Sequence, residues 1–389
     1  MGNWNQNSLD IICSVVKGEQ LNKLDLEKSG DYPCINGGIE PSGYTDKWNR
    51  LENTITISEG GNSCGFVNFL KTKFWSGGHC YTLENIHKEF DLQFLYYSLK
   101  GRESRIMGLR VGSGLPNIQQ KAIKSFEIQY PEDKPEQTHI AEILSTVDEA
   151  IVNTEALIAK YQRIKTGLMQ DLLTKGIDEN ENIRSKETHK FVIKNGIEVP
   201  EEWDVDTLKN TCNLHNNLRK PIAAIDRFQN KGSFPYYGAT GIIDYINEYR
   251  VEGLFVLIGE DGDHYLKFKS QEMTHLVEGK FNVSNHAHIL RGKENCSTKW
   301  IHYFFCHRDI TYFLTRQGAG RFKLNKASLQ NLPICVPSPK EQLSIIERIE
   351  CFNENYNIEK LKLKKLNSLK TGLMQDLLSG RVRVEVNQN

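Results

Sequence analysis

Two long stretches of this chain place apolar residues three and four positions apart. The first runs Ile140, Leu144, Val147, Ile151, Thr154, Ile158, Tyr161, Ile164, Leu168 and Leu172. The second runs Ile345, Ile349, Phe352, Tyr356, Glu359, Leu363, Leu366, Leu369, Leu373 and Leu377. That period is helical, and sustained over about five heptads it describes a coiled-coil seam in which Thr154 and Glu359 form the single matched polar pair. At about 1.5 Å per residue, each helix is expected to be roughly 55 to 60 Å long. Elsewhere the apolar runs are short. Residues 53–57, 254–258 and 288–290, broken by Gly and Asn, predict strands within mixed α and β domains.

The second helix copies the first. Lys165-Thr-Gly-Leu-Met-Gln-Asp-Leu-Leu173 recurs as Lys370-Thr-Gly-Leu-Met-Gln-Asp-Leu-Leu378, and the same offset of 205 brings Glu136-Gln137 onto Glu341-Gln342. Identity of that length at a fixed offset marks a duplicated element. Looser matches join the rest of the chain. Trp4-x4-Leu9-x3-Cys13 pairs with Trp203-x4-Leu208-x3-Cys212, and Tyr32-Pro33 pairs with Phe234-Pro235. Ser76-Gly-Gly-His79 pairs with Val283-Ser-Asn-His286, and Gly112-Ser-Gly114 with Gly318-Ala-Gly320. The chain therefore reads as a domain (1–135), a helical spacer (136–176), a polar linker (177–199), a second domain (200–338), a second spacer (339–380) and a tail (381–389). The expected fold class is α+β: two mixed α/β domains separated by two long helices that form an antiparallel coiled coil, with pseudo-twofold symmetry. Gly167 and Gly372 sit inside these helices, where glycine costs about 1 kcal/mol against alanine. They are expected to admit a close approach, either a partner surface or a helix crossing, together with Leu168, Met169, Leu373 and Met374.

At 389 residues the chain exceeds what one core supports. Its formal net charge is zero, which on its face counts against a nucleic-acid partner. The distribution reverses that reading. Lys and Arg outnumber Asp and Glu by 11 to 7 in residues 41–124 and by 17 to 12 in 205–335, whereas 125–204 runs 9 to 17 the other way. Two mildly basic regions thus flank an acidic one. Nine scattered cysteines with no C-x-x-C pair predict reduced thiols, with neither a disulfide framework nor a zinc ribbon. No apolar stretch approaches the roughly 18 residues of a membrane helix, and residues 1–10 carry no apolar signal region, so the cytoplasm is expected.

The motifs of catalysis are missing from the sequence. There is no G-x-x-x-x-G-K-[S/T] phosphate loop and no Asn/Asp-Pro-Pro-Tyr/Phe adenine-holding site. Pro131-Glu-Asp-Lys134 has the residue types of a nuclease carboxylate–lysine pattern but reads as an exposed turn before the helix. His286-x-His288 lacks further ligands, so no metal site is expected. A non-catalytic adaptor remains, binding either DNA or other proteins through its globular domains.

Four features belong together. One is Ser113-Gly-Leu-Pro-Asn-Ile118 leading to Pro135-Glu-Gln137 and Ile140-Ala-Glu-Ile-Leu-Ser-Thr-Val-Asp148. The second is Val199-Pro-Glu-Glu-Trp203, which opens the second domain. The third is Gly-Leu-Met-Gln-Asp-Leu-Leu with the tail Ser379-Gly-Arg-Val-Arg-Val384, and the last is the alternation of variable domain and helix. In these features the chain resembles the specificity subunit of type I restriction-modification systems over essentially its whole length. The first domain departs from the pattern in starting at Trp4 without Pro-Glu, and its loop reads Gly-Ser-Gly-Leu-Pro where the second reads Gly-Ala-Gly-Arg-Phe.

The resemblance implies two target-recognition domains, each reading one half of a split asymmetric site on double-stranded DNA. It also implies two modification subunits that methylate adenine and two ATP-dependent restriction subunits. S-adenosylmethionine, ATP and magnesium would belong to those partners, and this chain would bind no cofactor. Two readers about one duplex turn apart imply half-sites of about 3 to 5 bp and an unread spacer of about 5 to 8 bp. Base reading needs forked donors, and phosphates need cations. The candidates in the first domain are Lys47, Arg50, Lys71, Lys73, Arg102, Arg105 and Arg110. In the second they are Arg219, Lys220, Arg227, Arg291, Lys293, Arg316, Arg321 and Lys323. Arg316 and Arg321 stand out because the glycines between them allow a backbone to approach phosphate. Trp48, Tyr236, Tyr237, His79 and His286 are further, weaker candidates.

Overall fold

The computed structural model describes residues 4–112, 114–317 and 321–384, without the side chains of Lys23, Gln317 and Arg321. Four helices organise the chain: α1 (Leu92–Gly101), α2 (Lys134–Thr174), α3 (Thr298–Phe305) and α4 (Pro339–Leu377). The chain forms two compact units, one of residues 1–157 with 359–389 and the other of residues 158–358. Each unit therefore holds one domain with part of α2 and part of α4.

In unit 1 a four-stranded antiparallel sheet runs β2 (Ser14–Lys17), β8 (Cys80–Glu84), β5 (Thr54–Ser58), β6 (Val67–Leu70). A second sheet sets β3 (Tyr32–Ile35) between β4 (Gly43–Thr45) and β7 (Trp75–Ser76), with β3 and β7 parallel. β1 (Trp4–Ser8) pairs with β9 (Glu127–Pro131), which leads into α2. The predicted strand at 53–57 is β5, and Ile55 and Ile57 are fully buried in it.

Unit 2 repeats this order. Its main sheet runs β13 (Cys212–Leu214), β20 (Ala287–Gly292), β17 (Phe255–Gly259), β18 (Thr274–Val277). The second sheet joins β15 (Gly241–Ile246), β14 (Lys231–Gly238), β19 (Lys280–Val283) and β16 (Val251–Glu252), with β14 and β19 parallel as β3 and β7 are. β12 (Asp204–Thr207) pairs with β23 (Pro333–Val336), the counterpart of β1 with β9. The hairpin β10 (Phe191–Lys194) and β11 (Ile197–Pro200) has no counterpart among the described residues of unit 1, and the ribbon β21 (Thr315–Gln317) and β22 (Arg321–Lys323) is matched there by the bridges of Asn117 to Val111 and Gly60, as Lys323 bridges to Asp261. The stretch read as a linker is thus partly folded, with Ile177 and Val199 buried in the unit 2 core.

The predicted helices are present, and each divides its apolar face between two tasks. In unit 1, Ile140 and Leu144 of α2 join Leu377 and Leu378 in the domain core. Lys370 meets Asp148 at 2.6 Å, so the α2 and α4 segments run antiparallel there. In unit 2, Met169, Leu172 and Leu173 share a core with Ile345, Ile346 and Ile349. Farther along the pair, the Tyr161 and Phe352 rings lie 5.3 Å apart and Tyr356 donates to Gln162 at 2.6 Å, again antiparallel. Full burial of one such leucine contributes about 1.5–3 kcal/mol. The seam is not sealed throughout: Ile164 and Leu369 are 43% and 50% exposed.

Glu136-Gln137 and Glu341-Gln342 explain why each helix starts where it does. Gln137 is fully buried; its amide accepts from the Asp91 N–H at 2.9 Å and donates to Pro131 and Glu89 carbonyls at 3.0 and 3.2 Å. Gln342 repeats this with Ser297 N–H at 2.9 Å and the carbonyls of Pro337 and Asn295 at 2.9 and 2.8 Å. Asp91 and Ser297 cap α1 and α3 by accepting from Phe94 and Trp300 N–H. One glutamine therefore ties the start of each long helix to the start of its domain's short helix.

Candidate DNA interface and partner-docking surfaces

The basic candidates divide by what already holds them. In unit 1, Arg50 is committed to Glu84 at 2.6 Å and to Thr82 and Asn49. Arg102 donates to the Ser98 and Leu378 carbonyls at 3.1 and 3.0 Å, and burial, with Arg105 nearby, lowers its pKa. Lys73 lies 4.4 Å over the Trp48 ring and Arg105 lies 5.7 Å from the Phe126 ring. Lys47, Lys71, Arg105 and Arg110 are exposed.

In unit 2, Arg219 pairs with Glu260 at 2.6 Å and Arg227 with Asp244 at 3.2 Å, while Lys220 pairs with Glu248. Lys293 donates to the Lys209 and Asn210 carbonyls, and Lys323 lies 3.5 Å from Glu260. Arg291 is exposed over the Phe255 ring and Arg316 over the Phe322 ring, at 5.7 and 4.9 Å. Arg316 stands in β21 opposite Phe322 of β22; residues 318–320 and the Arg321 side chain lie outside the described residues. Tyr236 is buried, and its hydroxyl donates to Lys220 O and accepts from Ile222 N–H; Tyr237 packs edge-on to Phe281 at 5.9 Å. Of the three candidate aromatics, Trp48 is the exposed one.

The two candidate histidines occupy matched places, and each meets an acid from the end of the central strand. Ser58 pairs with Cys80 and Gly259 with Ala287, which sets Glu59 beside His79 and Glu260-Asp261 beside His286. His79 Nδ1 is 3.5 Å from Glu59, which also holds Lys17 at 2.6 Å and accepts from Tyr81 at 2.9 Å. His286 Nδ1 is 2.8 Å from Asp261, while Glu260 holds Arg219. Both histidines are exposed. The carboxylates were missed from sequence because they stand about 20 residues from their histidines and only strand pairing brings them together.

His288, by contrast, is buried. The Leu324 carbonyl at 2.8 Å forces a proton onto Nε2, so Nδ1 accepts from Asn216 at 2.8 Å. With both nitrogens engaged, His286-x-His288 has no ligand pair to offer, and burial holds the His288 pKa below its ordinary value.

The repeated nine-residue motif has two faces. Met169, Leu172 and Leu173 are buried in unit 2, and Leu377 and Leu378 in unit 1, where Leu373 and Met374 pack against the core. Thr166, Gly167 and Gln170 are exposed, as are Thr371 and Gln375. The expected helix crossing at the glycines is not found: a Cβ on Gly167 or Gly372 would meet nothing within 4 Å among the described residues. Gly372 follows Thr371, which lines a groove in unit 1 with Lys100, Arg102, Met374, Gln375 and Ser379. Core packing accounts for the leucines' repetition but not for that of the exposed residues.

Two domains of one topology, each pinned to one copy of a duplicated helix, define an internally duplicated two-domain protein. The family model for the type I restriction modification DNA specificity domain matches residues 1–163 and again 200–368, and the chain belongs to that family. A Mycoplasma genitalium protein assigned as a type I specificity subunit is 31% identical over 245 residues, which are 61% of this chain and 58% of that protein. The type I restriction enzyme MjaVIII specificity subunit of Methanocaldococcus jannaschii is 23% identical over 98% of this chain and 93% of its own length. The chain spans 58% and 64% of the two Mycoplasma relatives it matches. The fold is that of the type I restriction-modification S subunit from M. genitalium, whose crystal structure superposes with a TM-score of 0.70 at 24% identity over 97% of this chain and 96% of that one.

Proposed function

We propose that this chain is the sequence-reading subunit of a type I restriction-modification complex. Each domain reads one half of a bipartite, asymmetric site on double-stranded DNA, and the long helices set the spacing between halves. Two modification subunits dock on the helices and methylate adenine at N6, and two restriction subunits join through them. The chain itself does no chemistry; S-adenosylmethionine, ATP and magnesium are held by the partners. The observation that carries this reading is the duplication, in which the same sheet order recurs twice and each copy is fixed by its own Glu-Gln pair to a copy of one helix.

Exposed Lys47, Lys71, Arg105 and Arg110 in unit 1, and Arg291 and Arg316 in unit 2, are the proposed DNA contacts. The exposed Thr-Gly-x-x-Gln face, residues 166–170 and 371–375, is the proposed docking surface for the modification subunits. Methylome sequencing of cells expressing the chain with its modification subunit tests the reading. The expected motif is split, with N6-methyladenine in both halves, and exchanging residues 200–338 for those of another family member alters one half only. A continuous motif overturns the two-reader reading. The alternative, a scaffold whose domains bind proteins, predicts no duplex binding whose log affinity falls linearly with log salt.

A further inference from the structure

Three unlike donors meet at the carboxyl end of α3 and the loop before β18. Glu272, Cys306 and His307 each offer one ligand atom, and these atoms lie within 4.8 Å of one another. Cys306 is buried, while Glu272 and His307 are exposed. His307 Nδ1 lies 2.9 Å from the Phe268 carbonyl oxygen. A carbonyl only accepts, so Nδ1 carries a proton, and in the neutral ring Nε2 is the nitrogen left with a lone pair. This is the tautomer a metal-ligating histidine needs, with the backbone support such ligands commonly have. The two segments are also tied to each other: Met273 N–H donates to the Cys306 carbonyl at 2.8 Å, and the Thr274 hydroxyl donates to the His302 carbonyl at 3.0 Å. The donors are therefore held in place by the backbone.

Unit 1 shows what this junction ordinarily requires. Arg102 and Arg308 each donate to a carbonyl four residues back, Ser98 and Phe304, so α1 and α3 match residue for residue and Lys100 stands where Cys306 does. The Lys100 ammonium donates to the carbonyl of Val67, the first residue of β6, at 2.9 Å. It also pairs with Glu103 at 2.5 Å and lies 4.1 Å over the Phe66 ring. A cation there fastens the helix end to the sheet. In unit 2 the equivalent place carries a thiol, an imidazole and a carboxylate, the donor types of a transition-metal site, with Lys165 near the thiol. Burial, reinforced by Glu272 and opposed by Lys165, raises the pKa of the Cys306 thiol.

We propose that Glu272, Cys306 and His307 bind a zinc-class ion that fastens α3 to the 268–273 loop. Thiolate with imidazole favours zinc over magnesium or calcium, and three protein ligands leave the fourth tetrahedral position to water. On binding, the thiol proton passes to solvent as the metal–sulfur bond forms, with no change of oxidation state.

The test titrates Co²⁺ and Zn²⁺ into metal-free full-length chain. The expected results are a thiolate-to-cobalt charge-transfer band in the near ultraviolet, about one ion bound per chain, and a zinc-dependent rise in thermal midpoint. Cys306→Ser should abolish the band and weaken zinc binding at least about 100-fold, whereas Cys351→Ser, at the one exposed cysteine, should change neither. His307→Gln and Glu272→Gln, both at exposed positions, should weaken binding about 10- to 100-fold and remove most of the zinc-dependent thermal shift. No band in the unmodified chain overturns the proposal, as does a band that survives Cys306→Ser or disappears with Cys351→Ser. If Cys306→Ser fails to fold, His307→Gln decides: unchanged cobalt and zinc binding in that variant overturns the site.

Discussion

The carboxylate that heads each long helix meets different company in the two units. In unit 2, Glu341 takes the Arg184 guanidinium at 2.5 and 3.3 Å, the Trp203 indole N–H at 3.1 Å and the Ile177 N–H at 2.9 Å. In unit 1, Glu136 takes Arg383 at 2.6 and 2.5 Å, while the Trp4 indole N–H is buried with no hydrogen-bond partner among the described residues. Arg184 stands between the helix and its domain in sequence; Arg383 lies in the tail beyond α4. The same clasp is thus closed by an internal segment in one unit and by the C-terminal segment in the other. Both follow a glycine at positive φ, Gly176 or Gly380, where a Cβ would collide with Trp203 or Trp4. The duplication preserved the carboxylate, the tryptophan and the turn, and left the arginine to be supplied from whichever segment reaches the site.

That contrast can be broken most sharply at Glu341. Glu341→Ala leaves Arg184, 7% exposed, with the more distant and exposed Glu202 carboxylate at 3.8 Å, and removes an acceptor from Trp203 and Ile177. The expected cost is about 3–5 kcal/mol, seen as lost hydrogen-exchange protection in unit 2 with unit 1 unchanged. Equal loss in both units would show that the clasp is not local.

Acid should also separate the units. His302 is buried and its pKa is pushed down to about 4, first by burial and then by His275 and His307. The unfolded chain takes up the proton near pH 6.5 and the folded chain refuses it until about pH 4. Stability from this group is therefore complete above about pH 6.5 and falls as pH drops toward 4, by up to about 3 kcal/mol. His79, His87 and His139 of unit 1 are exposed, whereas His302 is buried. Urea melts of His302→Gln against the unmodified chain between pH 7 and 4.5 isolate the His302 contribution, since His264, His275 and His288, whose pKa values burial also lowers, are present in both. A parallel pair of pH profiles would remove it.

Smaller effects sharpen the picture. Glu136→Ala should cost unit 1 about 1.5–3 kcal/mol, less than Glu341→Ala, because Arg383 retains 25% of its side-chain exposure and solvent replaces part of the lost pair. Gly167→Ala and Gly372→Ala should each stabilise their helix by about 1 kcal/mol, since the added methyl meets nothing. Binding of the modification subunit, measured by calorimetry, should weaken in the same variants. Undiminished binding would place the docking surface elsewhere.

Much of the architecture was legible in advance. The helical period marked α2 and α4, and the offset of 205 brought Gln137 onto Gln342 and Leu172 onto Leu377, residues that turn out to do the same work. The candidate site was less legible. Charge alone put Arg50 and Arg102 in one group with Lys47 and Arg110, yet the first pair is held by Glu84 or by backbone carbonyls and the second is exposed. Nothing local distinguishes them, because a guanidinium's partner is chosen by the strand or helix that folds against it. Gly167 shows the same limit: an interior glycine implies a reason, and only the space around it shows that no other part of the described chain supplies one.

The sequence by itself determined what repeats and local chemistry can encode: two helices, two domains of one pattern, and cysteines too scattered for a ribbon. Only the tertiary structure decided which groups meet across long separations, as with Glu136 and Arg383, His286 and Asp261, or Glu272 and the Cys306-His307 pair. The physical reason is reach. Periodicity and propensity act over a few residues, whereas an ion pair or a ligand cluster depends on chain segments tens to hundreds of residues apart arriving at one point.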